Sequence, residues 1–238
     1  MIKEIREKIK SNYPEKWWGD DFDSRFNLIS QLKNLKEKSV LDIGGGVGII
    51  SSELDKSNNI INLDLSIKDL KICNNRMNKN LNTACGEMTR LPFQNNFFDV
   101  VISGSVLQYA KIEDVKKDQV IKKRINEFPS IEESLGEIHR VLKPNGILYL
   151  VTPNNSFYKL DMLSYDELKK ALSNHFKIYS IFFYNTFPQL GRKFNLANAI
   201  PKIISKFINP DKVISLLIKE DKGFKKNSVS FYVKAIKN

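Results

Sequence analysis

The sequence is poor in the residues that build metal centres and covalent frameworks. Its 238 residues include two cysteines and two histidines. Cys73 and Cys85 make neither a disulfide scaffold nor a ligand cluster, so a reducing compartment and no metal site are expected. No run approaches the roughly 18 consecutive apolar residues that a membrane-spanning helix needs. The charged start MIKEIREKIKSNYPEKWW lacks the apolar centre of a signal peptide, so a cytoplasmic location is expected. Internal repeats and low-complexity linkers are missing too, which sets aside solenoids and tethers. What remains is ordinary for a globular chain. Apolar residues make up 42% and charged residues 27%, enough to bury a real core. The length suits one α/β domain with an appendage.

The net charge of +11 is unevenly placed. Residues 187–238 hold 11 Lys/Arg against three Asp/Glu, a balance of +8, whereas residues 39–186 hold 18 against 17. A basic field of this kind attracts nucleic acid, anionic headgroups or phosphorylated ligands; a solvated Lys-rich surface has the same composition.

Short apolar runs alternate with helical patterns through the middle of the chain. Strands are expected at 38–45, 59–66, 82–87, 97–105 and 146–154, and helices at 47–56, 67–79 and 129–143. A further helix (164–175), an aromatic strand (176–185) and a half-covered antiparallel or edge strand (228–236) follow. This order implies βαβ units and an α/β, doubly wound, mostly parallel seven-stranded sheet with helices on both faces. The divisions are an N-terminal helical segment (1–37), a core (38–186 and 227–238) and a basic helical insert (187–226).

The sharpest local signal is Asp42-Ile43-Gly44-Gly45-Gly46-Val47-Gly48, after a strand and before an expected helix. Glycines are needed where a chain turns with positive φ or where a ligand must touch the main chain. A dinucleotide fingerprint would place its third glycine at 49, where this chain has Ile49. A carboxylate at position 42 would repel a pyrophosphate but suit a ligand with an ammonium group.

From Asp42 to Gly48 the chain resembles the class I S-adenosylmethionine-dependent methyltransferases, in particular the small-molecule branch that includes ubiquinone and menaquinone enzymes. Further stretches resemble it in order: Leu63-Asp64-Leu65-Ser66, Gly86-Glu87-Met88 leading to Leu91-Pro92-Phe93, Phe97 to Val101, and Glu137 to Gly146. The resemblance covers residues 38–153. It implies a Rossmann-like fold that binds S-adenosylmethionine and releases S-adenosylhomocysteine. It also implies cofactor contacts from Asp42, Gly44, Gly46 and Gly48, and from Asp64 and Leu65 at the ribose. Glu87 and Met88 would meet the adenine, and Ser103 would line the adjoining strand end. Glu87 stands where the family usually has Asp, and Asn145 where it has glycine. Many relatives carry a histidine pair where this chain has Gln108 and Tyr109.

Methyl transfer from a sulfonium is a single displacement, so an enzyme mostly supplies proximity and orientation. Tyr109 is the candidate catalytic residue for positioning an acceptor, and Ser105 lines the same strand end as Ser103. His139 and His175 read as structural. Trp17, Trp18 and Phe22 read as a lid over the cofactor or as core. In the insert, Leu196 to Ile208 and Val213 to Ile218 are apolar at helical spacing with Lys202 and Lys206 beside them. They read as a cap on the acceptor site or as a membrane-surface contact for a lipid-linked acceptor. The expected function is methyl transfer to a small molecule, lipid-linked or sugar-containing among the options. The alternatives are an RNA (tRNA) methyltransferase and a non-catalytic cofactor-binding protein.

Overall fold

The computed structural model describes residues 28–29, 31–76, 81–108, 115–116, 119–120, 129–153, 163–184 and 230–238. The expected lid residues Trp17, Trp18 and Phe22, the catalytic candidate Tyr109 and the insert 187–226 lie outside the described residues.

Seven strands make one sheet: β1 (Ser39–Ile43), β2 (Asn59–Asp64), β3 (Leu81–Cys85), β4 (Phe98–Gly104), β5 (Leu142–Pro153), β6 (Phe176–Tyr184) and β7 (Ser230–Lys237). Their order is β3-β2-β1-β4-β5-β7-β6. The first five are parallel, and β7 runs antiparallel to both β5 and β6. The chain winds outward from β1 in both directions, so β1 and β4 flank the point where strand order reverses. In open α/β sheets that point opens a crevice at the carboxyl ends of the strands.

Alternation along the strands builds two core layers. Leu41, Ile43, Leu63, Val101, Leu148, Leu150, Phe231 and Val233 face one side. Against them pack α2 (Pro129–Val141), through Ile131, Leu135 and Ile138, and α3 (Tyr165–Ser173), through Leu168 and Leu172. The three- and four-residue spacing of these apolar positions is what makes each helix amphipathic. Ser164 caps α3, and its own N–H donates to Glu167 Oε2 at 2.7 Å. On the other side lie Val40, Ile60, Val100, Ile102, Tyr149, Val151 and Tyr232, covered by Leu28, Ile29 and Leu32 and by Val47, Ile49 and Ile50. The described end of the N-terminal segment is therefore core. A third helix, α1 (Ile67–Arg76), buries Leu70 and Cys73.

Three elements differ from expectation. Residues 47–56 form turns and a 3-10 helix, Ser51–Glu53, in place of an α-helix. Gly48 sits at φ 82°, which bars the first turn, and what is left is too short for cooperative helix formation. β5 starts earlier than expected, because Phe98 pairs with Leu142 and Val100 with Ile147. Residues 143–146 loop out between those pairs, with Asn145 at φ 62°, a conformation asparagine tolerates. The final strand is neither an edge strand nor half-covered. It lies between β5 and β6, and Phe231, Tyr232, Val233 and Ala235 are buried on both of its faces. Its alternating lysines gave the misleading signal. Lys234 lies over the rings of Tyr149 and Tyr179, and Lys237 Nζ donates to Leu142 O at 2.7 Å and Asn96 Oδ1 at 2.8 Å.

Among the described residues no helix is long and apolar enough to cross a membrane, and no cluster of His, Cys, Asp and Glu forms a metal-ligand set.

Candidate cofactor and acceptor site

The loop after β1 is tied to β2 from both sides. The N–H groups of Gly44 and Gly45 donate to Leu63 O at 2.7 and 3.3 Å. The Gly46 N–H donates to Asp64 Oδ2 at 2.9 Å, and the Gly46 carbonyl accepts from Asn62 Nδ2 at 3.0 Å. Gly44 and Gly46 hold φ of 66° and 53°, which L side chains rarely adopt. A Cβ on Gly44 would fall 2.1 Å from Val106 Cγ2, so that glycine lets the loop touch the turn after β4. The outer side of Gly46 is open, since a Cβ there would meet only Asp64 Oδ2, at 3.8 Å.

Beneath the loop lies a polar floor. Asp42 is completely buried and accepts from Ser51 Oγ at 2.6 Å. Asn62, its partner across the β1–β2 register, is equally buried and also donates to Cys73 Sγ at 3.2 Å. Burial holds the Cys73 thiol above its ordinary pKa. A Cβ on Gly45 would lie 2.3 Å from Asn62 Oδ1 and 2.8 Å from Asp42 Oδ2. Only glycine lets the main chain rest on this floor. Asp42 is thus placed below the loop, while Asp64 stands beside it with its Oδ1 accepting from the Ser66 N–H at 2.8 Å.

Two neighbouring strand ends continue the crevice. Leu65 is 65% exposed, unusual for a leucine next to a core strand. The Gly86 N–H donates to Asp64 O at 3.3 Å, which sets the Glu87–Met88 turn beside Asp64 and Leu65. Glu87 is exposed, and Met88 packs partly on the core. Ser103 pairs in register with Ile43 and is buried, its Oγ without a hydrogen-bond partner.

The structure thus brings Gly44, Gly46, Gly48, Asp64, Leu65, Glu87, Met88 and Ser103 to one end of the sheet, with Asp42 underneath. It adds Asn62, which sequence reading passed over. The signal was available, since an asparagine inside an otherwise apolar parallel strand needs a partner.

A supporting network holds the next turn. Arg140 donates to both oxygens of Glu137, at 2.6 and 2.8 Å, and to the carbonyls of Phe93 and Leu91, at 2.7 and 2.9 Å. Glu137 in turn accepts from the Leu91 N–H at 2.7 Å. The hydrogen bonds from Arg140 hold the Glu137 carboxyl below its ordinary range. Both histidines stand at the far end of the sheet. His175 precedes β6 and bonds Glu132 at 2.8 Å, and His139 is beside it with a ring separation of 6.4 Å.

Comparison with known proteins agrees with this geometry. A family described as "Methyltransferase domain" matches residues 41–150. A demethylmenaquinone methyltransferase from Lactobacillus johnsonii is 30% identical over 196 residues, covering 69% of this chain and 73% of the relative. The chain belongs to the class I S-adenosylmethionine-dependent methyltransferases. Phosphoethanolamine N-methyltransferase 1 from Triticum aestivum is 26% identical over 225 residues, and this chain spans 41% of its length. Among solved structures, the N-methyltransferase NodS from Bradyrhizobium japonicum WM9, in complex with S-adenosyl-L-homocysteine, has a TM-score of 0.60 at 10% identity. The likeness covers 99% of this chain and 97% of NodS. The [4+2]-cyclase SpnF reaches the same score at 16% identity, with 99% of this chain and 92% of SpnF covered. The fold alone therefore does not fix the chemistry performed on it.

Proposed function

We propose that this chain transfers the methyl group of S-adenosylmethionine to a small molecule bound beyond the carboxyl ends of β4, β5 and β7. The observation that carries the reading is the glycine loop held open against Asp64. The free outer side of Gly46 leaves room for a ligand against the main chain, and Asp64 offers two oxygens to a pair of hydroxyls.

The residues present fit the cofactor. The backbone of Gly44, Gly46 and Gly48 would hold its amino-acid end, with the buried charge of Asp42 below the ammonium. Asp64 would take the ribose hydroxyls. Leu65 and Met88 would enclose the adenine, with Glu87 accepting from its amino group. When bound, the cofactor supplies an activated methyl on a sulfonium. The chain supplies orientation and a site from which water is excluded.

The relatives act on phosphoethanolamine, demethylmenaquinone and, for one from Schizosaccharomyces pombe, a sterol. Family membership therefore leaves the acceptor open, and a small molecule is the class these names share. A second reading is an RNA acceptor, favoured by the net charge of +8 over residues 187–238. RNA binding that falls steeply with salt would support it. Preferential binding to anionic vesicles would instead support a lipid-linked acceptor, with the protein peripheral at a membrane surface.

Calorimetry tests the cofactor site directly. S-adenosylhomocysteine should bind with one site per chain, and NAD should not. Binding of NAD alone would overturn the proposal. Binding of S-adenosylhomocysteine without any methyl transfer to a fractionated extract would leave a non-catalytic binding protein.

A further inference from the structure

Polar side chains at the two ends of the sheet differ in their partners. At the amino end of the parallel strands, largely half-exposed groups are joined to one another. Ser39 Oγ donates to Asp99 Oδ2 at 2.6 Å, Lys143 Nζ to Asp99 Oδ1 at 2.9 Å, and Lys237 Nζ to Asn96 Oδ1 and Leu142 O. At the carboxyl end, oxygens are buried with no hydrogen-bond partner: Ser103 Oγ, Ser105 Oγ, Gln108 Oε1, Thr152 Oγ1 and Ser230 Oγ. Each such group is costly unless something else satisfies it. Their concentration at the ends of β4, β5 and β7 and in the turn after β4, next to the cofactor loop, points to a ligand.

Register brings three of them together. Gly104 pairs with Val151, the last pair of β4 with β5, and Ser105 and Thr152 are the residues that follow each of them. The Ser105 N–H donates to Val151 O at 2.8 Å. Ser105 holds φ of 62°, strained for a residue with a side chain. Its carbonyl accepts from Gln108 Nε2 at 2.7 Å, which fixes the glutamine amide over the turn. Gln108 is 7% exposed, and its Oε1 can only accept. The group it awaits must donate.

The chemistry narrows further. Ser105, Gln108 and Thr152 are neutral and do not titrate in the working range, so they favour an uncharged head group. The chain has two histidines, and both sit at the opposite end of the sheet. Among the described residues no imidazole reaches this site to deprotonate an acceptor. A hydroxyl attacks well only once a base takes its proton, and a bare alkene carbon has no proton to offer Gln108. A neutral amine meets both conditions: it donates an N–H while its lone pair stays free.

We propose that Ser105, Gln108 and Thr152 form the head-group subsite for the methyl acceptor, and that the acceptor atom is the nitrogen of a neutral primary or secondary amine. This rests on the transfer reading above. The amine lone pair forms the new N–CH3 bond as the S–CH3 bond breaks, and the departing electron pair stays on sulfur, giving the thioether. The resulting ammonium gives its proton to water.

The test uses the full chain and S-adenosylmethionine carrying a 13C methyl, incubated with a fractionated small-molecule extract. The 13C shift of the product methyl identifies its bonded atom. A methyl on nitrogen is expected; a methyl on oxygen or carbon overturns the proposal. With that product's unmethylated parent as ligand, calorimetry of the protein loaded with S-adenosylhomocysteine gives a readout independent of turnover. Gln108→Leu should weaken acceptor binding about ten- to hundred-fold, and isosteric Thr152→Val about ten-fold, each with S-adenosylhomocysteine affinity unchanged. Acceptor affinity unchanged in both variants would also overturn it. Failure of the underlying reading is distinct: no fraction then yields a labelled product.

Discussion

The backbone N–H of Gly46 donates to Asp64 Oδ2 at 2.9 Å, joining the loop after β1 to the acid at the end of β2. The acid thus shapes the loop before any ligand arrives, and the same oxygen is placed for a hydroxyl. Asp64→Asn keeps the size of the side chain and replaces one acceptor oxygen with a donor. S-adenosylhomocysteine affinity should fall about ten- to hundred-fold by calorimetry, with little change in melting temperature.

Asn62 supports the loop from below, and Gly45 rests on it. Asn62→Ala removes the donor to the Gly46 carbonyl, and Gly45→Ala puts a Cβ 2.3 Å from Asn62 Oδ1. Each should weaken S-adenosylhomocysteine binding about ten-fold or more, while 5′-methylthioadenosine, which lacks the amino-acid end, should lose far less. The double variant should be better than the sum of the two, because removing the asparagine relieves the nearer clash.

Arg140 makes a two-pronged contact with Glu137 and also reaches two carbonyls of the turn that follows Met88. Lysine keeps the charge but loses the fork. Arg140→Lys should cost about 2 kcal/mol, seen as a melting temperature lower by about 4–8 °C.

Acid sensitivity should centre on Asp99. Burial alone would raise its pKa, but hydrogen bonds from Ser39 and the ammonium of Lys143 outweigh it and hold the carboxyl at about 2, against an ordinary 3.8. A group with a depressed folded pKa contributes stability above its unfolded pKa and loses it on acidification. The contribution should be complete above about pH 5 and fade as pH falls toward 2. Partial exposure limits it to about 1 kcal/mol. Asp99→Asn should therefore lower stability at pH 7 and flatten its fall between pH 5 and pH 2, measured by urea unfolding.

The parts of this protein visible in one dimension are those fixed by neighbours in sequence. β4 was legible because its apolar, β-branched run is long, and α2 because a proline opens it and a four-residue apolar spacing runs through it. The loop from Asp42 to Gly48 was legible because positive φ is a local demand that only glycine meets cheaply. The 3-10 turn at Ser51–Glu53 was not, because Gly48 reads equally well as a helix start until its φ is known. The place of β7 was hidden by Lys234 and Lys237, whose charged ends find partners on other strands, the first over the rings of Tyr149 and Tyr179 and the second at Leu142 O.

By itself the sequence determined the strand–helix alternation, the glycine loop and the acid one strand over. These follow from local backbone preferences and the burial periods of strands and helices. Tertiary structure alone decided that Asn62 lies under the loop, that the Ser105 N–H meets Val151 O, and that both histidines stand away from the site. Those relations depend on strand register and chain winding, which bring together residues 16 positions or more apart. Only the close packing of the whole sheet sets them.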